Sequence, residues 1–164
     1  MKLLNVFIND IPFKVKSTNT ILESCNSLGF EISRFCFHEK LFVAGNCRMC
    51  LVEIKNQPKL AASCAIFFSE NMAVYTNSPI VKRAKENILE FLLINHPLDC
   101  PICDQGGECE LQDVAMEYGS DVSKFNEDKR IVPDKGIGAL IQTDMTRCIH
   151  CTRCVRFGAE VAGI

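Results

Sequence analysis

Apolar and polar positions alternate almost from the start of the chain. Leu4, Val6 and Ile8 share one face of a period-two pattern over residues 2–8, which predicts a strand. Asn9-Asp10 marks a turn, and residues 11–15 return as a hairpin partner. The spacing then becomes helical, with Ile21, Leu22, Cys25 and Leu28 on one buried face. Thr18 or Asn19 is expected to cap this short helix, and Gly29 stands where a C-terminal glycine belongs. A long loop follows, then short strands over residues 51–54 and 72–76.

A second pattern begins at Asn77-Ser78-Pro79, a cap with proline at the first helical position. Val81, Ala84, Ile88, Phe91 and Leu92 recur at helical spacing, and His96-Pro97 ends the helix because the residue before proline disfavours the α conformation. The basic positions Lys82, Arg83 and Lys85 read as a solvated helix face. Residues 97–109 are rich in turns, 110–118 form a short helix closed by Gly119, and the polar stretch 119–135 reads as a surface connection. A last element covers residues 139–164, with its cysteines at the start of a helix. These elements predict an α+β protein.

Length and composition add little until cysteine is counted. The chain has 164 residues, 48% apolar and 23% charged, with a formal net charge of −2, so no nucleic-acid partner is indicated. No apolar run reaches the ~18 residues of a membrane span. The 11 cysteines change the picture. An odd count fits a closed disulfide framework poorly, and the N-terminus resembles neither a secretory signal nor a transit peptide. The expected setting is a reducing compartment, with the chain either bacterial or made inside the organelle where it works, and there clustered thiols hold metal.

Ten of the cysteines and one histidine fall into three groups. Cys36, Cys47, Cys50 and Cys64 are separated by 10, 2 and 13 residues. Four thiolates suit an iron–sulfur cluster or a structural zinc ion. Gly45 and Asn46 give the loop backbone freedom to turn amide N–H groups toward the sulfurs, which stabilises added negative charge. His96, Cys100, Cys103 and Cys109 lie within one short loop; a three-cysteine, one-histidine zinc site is again the alternative. If iron–sulfur, the neutral imidazole makes this centre less negative by about one charge, a change that raises its potential. Cys148, Cys151 and Cys154 repeat the C-x2-C-x2-C spacing of a 4Fe–4S run, but Gly158 stands where the fourth cysteine would be.

Three residues stand outside these groups. Cys25 is read as a buried core thiol, His38 as a surface residue, and His150 as pointing away from the centre its neighbours face. No strand–G-x-G-x-x-G–helix unit and no nucleophile–base pair is present, so neither a dinucleotide site nor a substrate site of the chain's own is expected.

The segments RFCFHEKLFVAGNCRMCLVEI (34–54), FLLINHPLDCPICDQGGECELQD (91–113) and MTRCIHCTRCVRF (145–157) closely resemble the largest (75-kDa) iron–sulfur subunits of respiratory complex I, over essentially the whole chain. The resemblance favours iron–sulfur over zinc. It implies a plant-ferredoxin-like β-grasp domain over residues 1–76 holding one 2Fe–2S cluster on Cys36, Cys47, Cys50 and Cys64. A small helical domain over 77–119 would hold one 4Fe–4S cluster on His96, Cys100, Cys103 and Cys109. Cys148, Cys151 and Cys154, in a segment over 136–164, would give three of four ligands to a second 4Fe–4S cluster.

Members of that family continue with a fourth cysteine and a large molybdopterin-oxidoreductase-like domain, so the resemblance implies either a fragment or a split gene, and in the split form the missing thiolate is expected from another polypeptide. The implied role is electron transfer from a flavin-bearing, NADH-binding subunit toward ubiquinone, on the matrix side of the mitochondrial inner membrane or the cytoplasmic face of a bacterial one. Membrane attachment would run through partner subunits. An electron-input module of an iron-only or NAD-reducing hydrogenase is the nearest rival, and a zinc-stapled interaction module is a rival of another class.

Overall fold

Leu3–Ile8 (β1) and Ile11–Lys16 (β2) pair antiparallel, from Leu3 opposite Lys16 to Ile8 opposite Ile11. Asn9 and Asp10 both take positive φ, 50° and 65°. That is the tight-turn conformation whose twist matches the two strands, and Asn and Asp tolerate it. Leu4, Val6 and Ile8 are buried while Leu3 and Phe7 are exposed, as the alternation requires. This hairpin forms one side of a five-stranded mixed sheet in the computed structural model, which describes residues 2–164.

The helix Ile21–Ser27 (α1) starts one or two residues later than expected. Its cap is Thr20, not Thr18 or Asn19. Thr20 Oγ1 accepts from the Glu23 amide at 3.2 Å, and the Glu23 carboxylate accepts from the Thr20 amide at 2.8 Å. This reciprocal box outcompetes a lone upstream cap. Gly29, at φ +84°, ends the helix, with Phe30 N–H donating to Cys25 O and Gly29 N–H to Asn26 O, a Schellman arrangement. Leu28 is only half-buried.

Leu51–Ile54 (β3), Ala61–Ala62 (β4) and Ala73–Tyr75 (β5) complete the sheet, in the order β2-β1-β5-β3-β4. β5 runs parallel to β1 and antiparallel to β3. Val6, Ile8, Ile21, Leu22, Ile32, Val52 and Val74 are fully buried, each worth roughly 1.5–3 kcal/mol. The start of α1 is tied to the chain after β4 by Ile21 N–H to Ile66 O and Leu22 N–H to Ser63 O, and those bonds hold Cys64 close under the core.

The chain divides into two compact units. The first comprises the residues up to Lys85 together with Thr152–Ile164, and the second comprises Glu86–Cys151. Helix Pro79–Asn95 (α2) begins in the first and ends in the second, with Ser78 Oγ accepting from Val81 N–H at its start. Its buried stripe is Val81, Lys85 and Leu89, whereas Phe91 is 75% exposed. Lys85, expected on a solvated face, is only 2% exposed. It lies four residues from both Val81 and Leu89, so the helical period itself turns it inward.

In the second unit, Glu110–Tyr118 (α3) buries Leu111, Val114 and Tyr118. A Cβ at Gly119 would lie 2.2 Å from Ala115 O, so only glycine lets the chain leave α3 by this path. The stretch 119–135 is largely exposed but pinned. Lys129 Nζ donates to Leu93 O at 2.7 Å and Ile94 O at 3.1 Å, and Arg130 N–H donates to Asn95 Oδ1. A cation on the last carbonyls of α2 satisfies groups the helix cannot, and complements its dipole. Among the described residues no helix is long and apolar enough to cross a membrane.

Candidate iron–sulfur sites

The first group is built by the long loop between α1 and β3, which carries Cys36 and Cys47, by Cys50 at the entrance to β3, and by Cys64 two residues past β4. Cys36, Cys50 and Cys64 are buried and Cys47 half-buried. Their free thiols form two hydrogen-bonded pairs, Cys36 with Cys47 and Cys50 with Cys64. Bonding to the Cys47 thiol pulls Cys36 down to about 5 against the opposing effect of burial, helped by the amides of Cys47, Asn46 and Gly45. The Cys64 thiol likewise brings Cys50 down to about 6. Cys47 and Cys64 are pushed up, first by the bond to the partner sulfur and then by burial. Within each pair one thiol is thereby made the easier to deprotonate, and cluster binding would displace the protons that remain.

Amides converge on these sulfurs because the loop turns sharply. Gly45 has φ +64° and Arg48 φ +60°, and Cys36 N–H reaches Cys47 Sγ at 3.4 Å. Sequence reasoning missed Ser63. Its fully buried hydroxyl donates to Cys50 O at 2.8 Å and so braces the Cys50 backbone. Adjacency to Cys64 was its only signal.

The second group lines a cavity of about 90 Å³ together with Leu93, Asp99 and Arg147. His96 is placed by the end of α2, Cys100 by a 3₁₀ turn over Cys100–Ile102, and Cys109 by the N-terminus of α3. Burial, then the Lys129 ammonium, holds the His96 imidazole below its ordinary pKa, so it is neutral and able to act as a ligand. Gly106 is forced by the loop, since a Cβ there would stand 2.7 Å from Cys100 O and 3.1 Å from Cys103 O. Gln112 Oε1 accepts from Gly107 N–H at 3.0 Å and ties the loop to α3. Arg147, also missed in the sequence, is fixed by Asp144 at 2.9 Å and Asp99 at 3.4 Å.

Of the third group, Cys148 and Cys151 belong to the second unit and Cys154 to the first. Only Cys154 lies on helix Arg153–Phe157 (α4), so the helix begins later than the sequence implied. His150 and Thr152, at φ 55° and 62°, bend the chain on either side of Cys151, and His150 N–H points at Cys148 Sγ at 3.4 Å. The His150 ring meets Arg130 at 3.4 Å instead.

Cys25 is fully buried and burial pushes its thiol up to about 12. His38 is exposed, its Nδ1 accepting from Lys40 N–H. Among the described residues no three His, Cys, Asp or Glu side chains converge tightly enough for a single metal ion. Buried soft donors met by backbone N–H groups fit an iron–sulfur group.

A mixed sheet followed by cysteine-rich loops with such donors defines an iron–sulfur protein, and comparison with known proteins agrees. Residues 1–79 match the 2Fe-2S iron-sulfur cluster binding domain family. Residues 85–124 match the NADH-ubiquinone oxidoreductase-G iron-sulfur binding region, and residues 138–164 the ferredoxin-like domain of NADH-quinone oxidoreductase subunit 3. The chain is 61% identical to the NADH-ubiquinone oxidoreductase 75 kDa subunit of Reclinomonas americana, over 99% of this chain and 23% of that protein.

It is 55% identical to NADH dehydrogenase [ubiquinone] iron-sulfur protein 1, mitochondrial, of Solanum tuberosum, over 99% of this chain and 22% of that one. Identity to a bacterial NADH-quinone oxidoreductase relative, from Rickettsia felis, is 53%, over 99% and 24%. An NAD+-reducing [NiFe]-hydrogenase structure in the H2-reduced state superposes with a TM-score of 0.86 at 27% identity, covering 95% of this chain and 66% of that one. Over 99% of its length the chain is similar to the 75-kDa subunits of NADH–quinone oxidoreductase, and its family matches are to iron–sulfur binding regions. It spans under a quarter of the length of the curated relatives it matches.

Proposed function

We propose that this chain carries electrons in the peripheral arm of NADH–ubiquinone oxidoreductase, between a flavin-bearing NADH-binding subunit and the quinone side. The observation that carries the reading is the pairing of three buried cysteines and one half-buried cysteine near backbone amides in the first unit, together with a separate His-Cys-Cys-Cys cavity in the second. Iron–sulfur clusters bound there would accept and release one electron at a time. The chain's own residues do the rest. They exclude water, offer thiolates, and direct amide dipoles where negative charge grows on reduction.

In this reading residues 1–76 form a ferredoxin-like β-grasp domain with Cys36, Cys47, Cys50 and Cys64 as ligands of a 2Fe–2S cluster. Two hydrogen-bonded thiol pairs offer two ligands to each iron of a two-iron core. Residues 77–119 hold a 4Fe–4S cluster on His96, Cys100, Cys103 and Cys109. Cys148, Cys151 and Cys154, within 136–164, contribute three ligands to a second 4Fe–4S cluster. The chain has no substrate site of its own, and partner subunits attach it to the matrix side of the mitochondrial inner membrane or the bacterial equivalent.

The hydrogenase likeness supports a shared electron-input module, but the higher identities to the 75-kDa subunits favour complex I. Anaerobic iron and acid-labile sulfide analysis of the isolated chain, with EPR after reduction, tests the reading. About six irons, one 2Fe–2S plus one 4Fe–4S, is the expected content. Stoichiometric zinc without sulfide would overturn it.

A further inference from the structure

The ligand loop after Cys36 has no sheet ladder to satisfy its backbone, and the C-terminal segment of the same unit supplies the missing partners. Arg156 Nη2 donates to Cys36 O, and Arg156 Nη1 donates to Phe42 O at 2.6 Å. Arg153 Nη2 donates to Phe37 O at 2.9 Å. Glu160 Oε2 accepts from Phe42 N–H at 2.7 Å. Three carbonyls and one amide of a loop without regular structure are therefore held by three side chains spaced at i, i+3 and i+7 along one stretch of helix. The Arg156 fork is itself braced, its Nε donating to Thr152 Oγ1 at 3.2 Å. A guanidinium is well suited to this task because its planar donors bridge two carbonyls at once and it stays charged at every working pH.

We propose that Arg156 is a positioning residue of the first site: it fixes the Cys36 loop and its fixed positive charge, bonded to the carbonyl of a ligand residue, raises the reduction potential there. The inference rests on the reading of Cys36, Cys47, Cys50 and Cys64 as 2Fe–2S ligands. Reduction adds one electron and one unit of negative charge beside Cys36; no bond forms or breaks and no proton moves. A nearby cation stabilises the more negative state, whereas the Glu160 carboxylate opposes it. Arg156 and Glu160 therefore have opposite electrostatic signs although both bind the same residue, Phe42. A purely mechanical clamp would not produce that opposition.

The test is an EPR-monitored redox titration of the 2Fe–2S signal in the full assembly purified with this chain, with dithionite as reductant and mediator dyes. Arg156→Gln is expected to lower the one-electron reduction equilibrium about fivefold, ~40 mV at 59 mV per tenfold. Arg156→Lys should restore most of the loss because it keeps the charge, and Glu160→Gln should raise the equilibrium about twofold. Unchanged potentials in both Gln variants, or shifts of the same sign, would overturn the proposal. Should Arg156→Gln lose the cluster, the Glu160→Gln titration decides alone: a rise supports the proposal and no change or a fall rejects it. A wild-type assembly lacking any 2Fe–2S signal from this chain would instead defeat the underlying ligand reading.

Discussion

The two units offer their proposed cluster ligands by opposite means. In the first, an all-cysteine set is gathered from distant points of the chain, residues 36 to 64, with three of the four side chains buried. In the second, His96, Cys100, Cys103 and Cys109 come from 14 consecutive residues and line a cavity at the ends of two helices. The first depends on the tertiary fold to bring its donors together. The second depends on local turn geometry, above all on Gly106, and on a neutral imidazole kept uncharged by burial and Lys129. Damage to the loop should therefore abolish one centre and spare the other.

The largest separation should come from Cys103→Ser. A hydroxyl is a poor soft ligand, so the His-containing cluster should be lost while the 2Fe–2S EPR signal persists. Loss of both signals would show that the units do not act independently. Gly106→Ala should act in the same direction less completely. Its methyl would press on the Cys100 carbonyl at 2.7 Å, costing about 1–3 kcal/mol, visible as lower 4Fe–4S occupancy at an unchanged 2Fe–2S content.

His96→Cys sharpens the comparison by making the two ligand sets alike. It adds about one negative charge, so redox titration should find that cluster's potential lowered. A rise would assign control to the surrounding burial and to Arg147. The smallest effect expected near neutral pH concerns Cys25. Its folded-state pKa is raised from 9.0 to about 12, so ionisation favours the unfolded chain only above pH 9. Between pH 9 and 12 the first unit should lose about 1.4 kcal/mol of stability per pH unit from this group. Urea titrations of wild type against Cys25→Ala should show the variant with the flatter alkaline slope.

Much of this was legible in the sequence because period and punctuation agreed. The hairpin around Asn9-Asp10, the strand at 51–54 and helix α3 appear where alternation or helical spacing met a turn residue or glycine. β4 was not legible, since two alanines carry no period. The α1 cap was misplaced by choosing the first polar residues rather than the Thr20–Glu23 box. Lys85 was misjudged because a basic run read as a surface, although its position on the Val81–Leu89 line outweighs its charge.

The three cysteine groups proposed as ligands stood out by their spacing. The residues that support them did not: Ser63, Arg147 and Arg156 act across up to 120 residues of chain. No local pattern records such contacts.

Whether two chemically different centres exist in one chain is tested most directly by pulsed EPR of the reduced protein, reading nitrogen couplings at each cluster. Strong imidazole nitrogen coupling is expected on the 4Fe–4S signal alone, lost in His96→Cys, with none on the 2Fe–2S signal. Imidazole coupling on the 2Fe–2S signal, or its absence from a fully occupied 4Fe–4S centre, would contradict the assignment of one histidine-containing and one all-cysteine site.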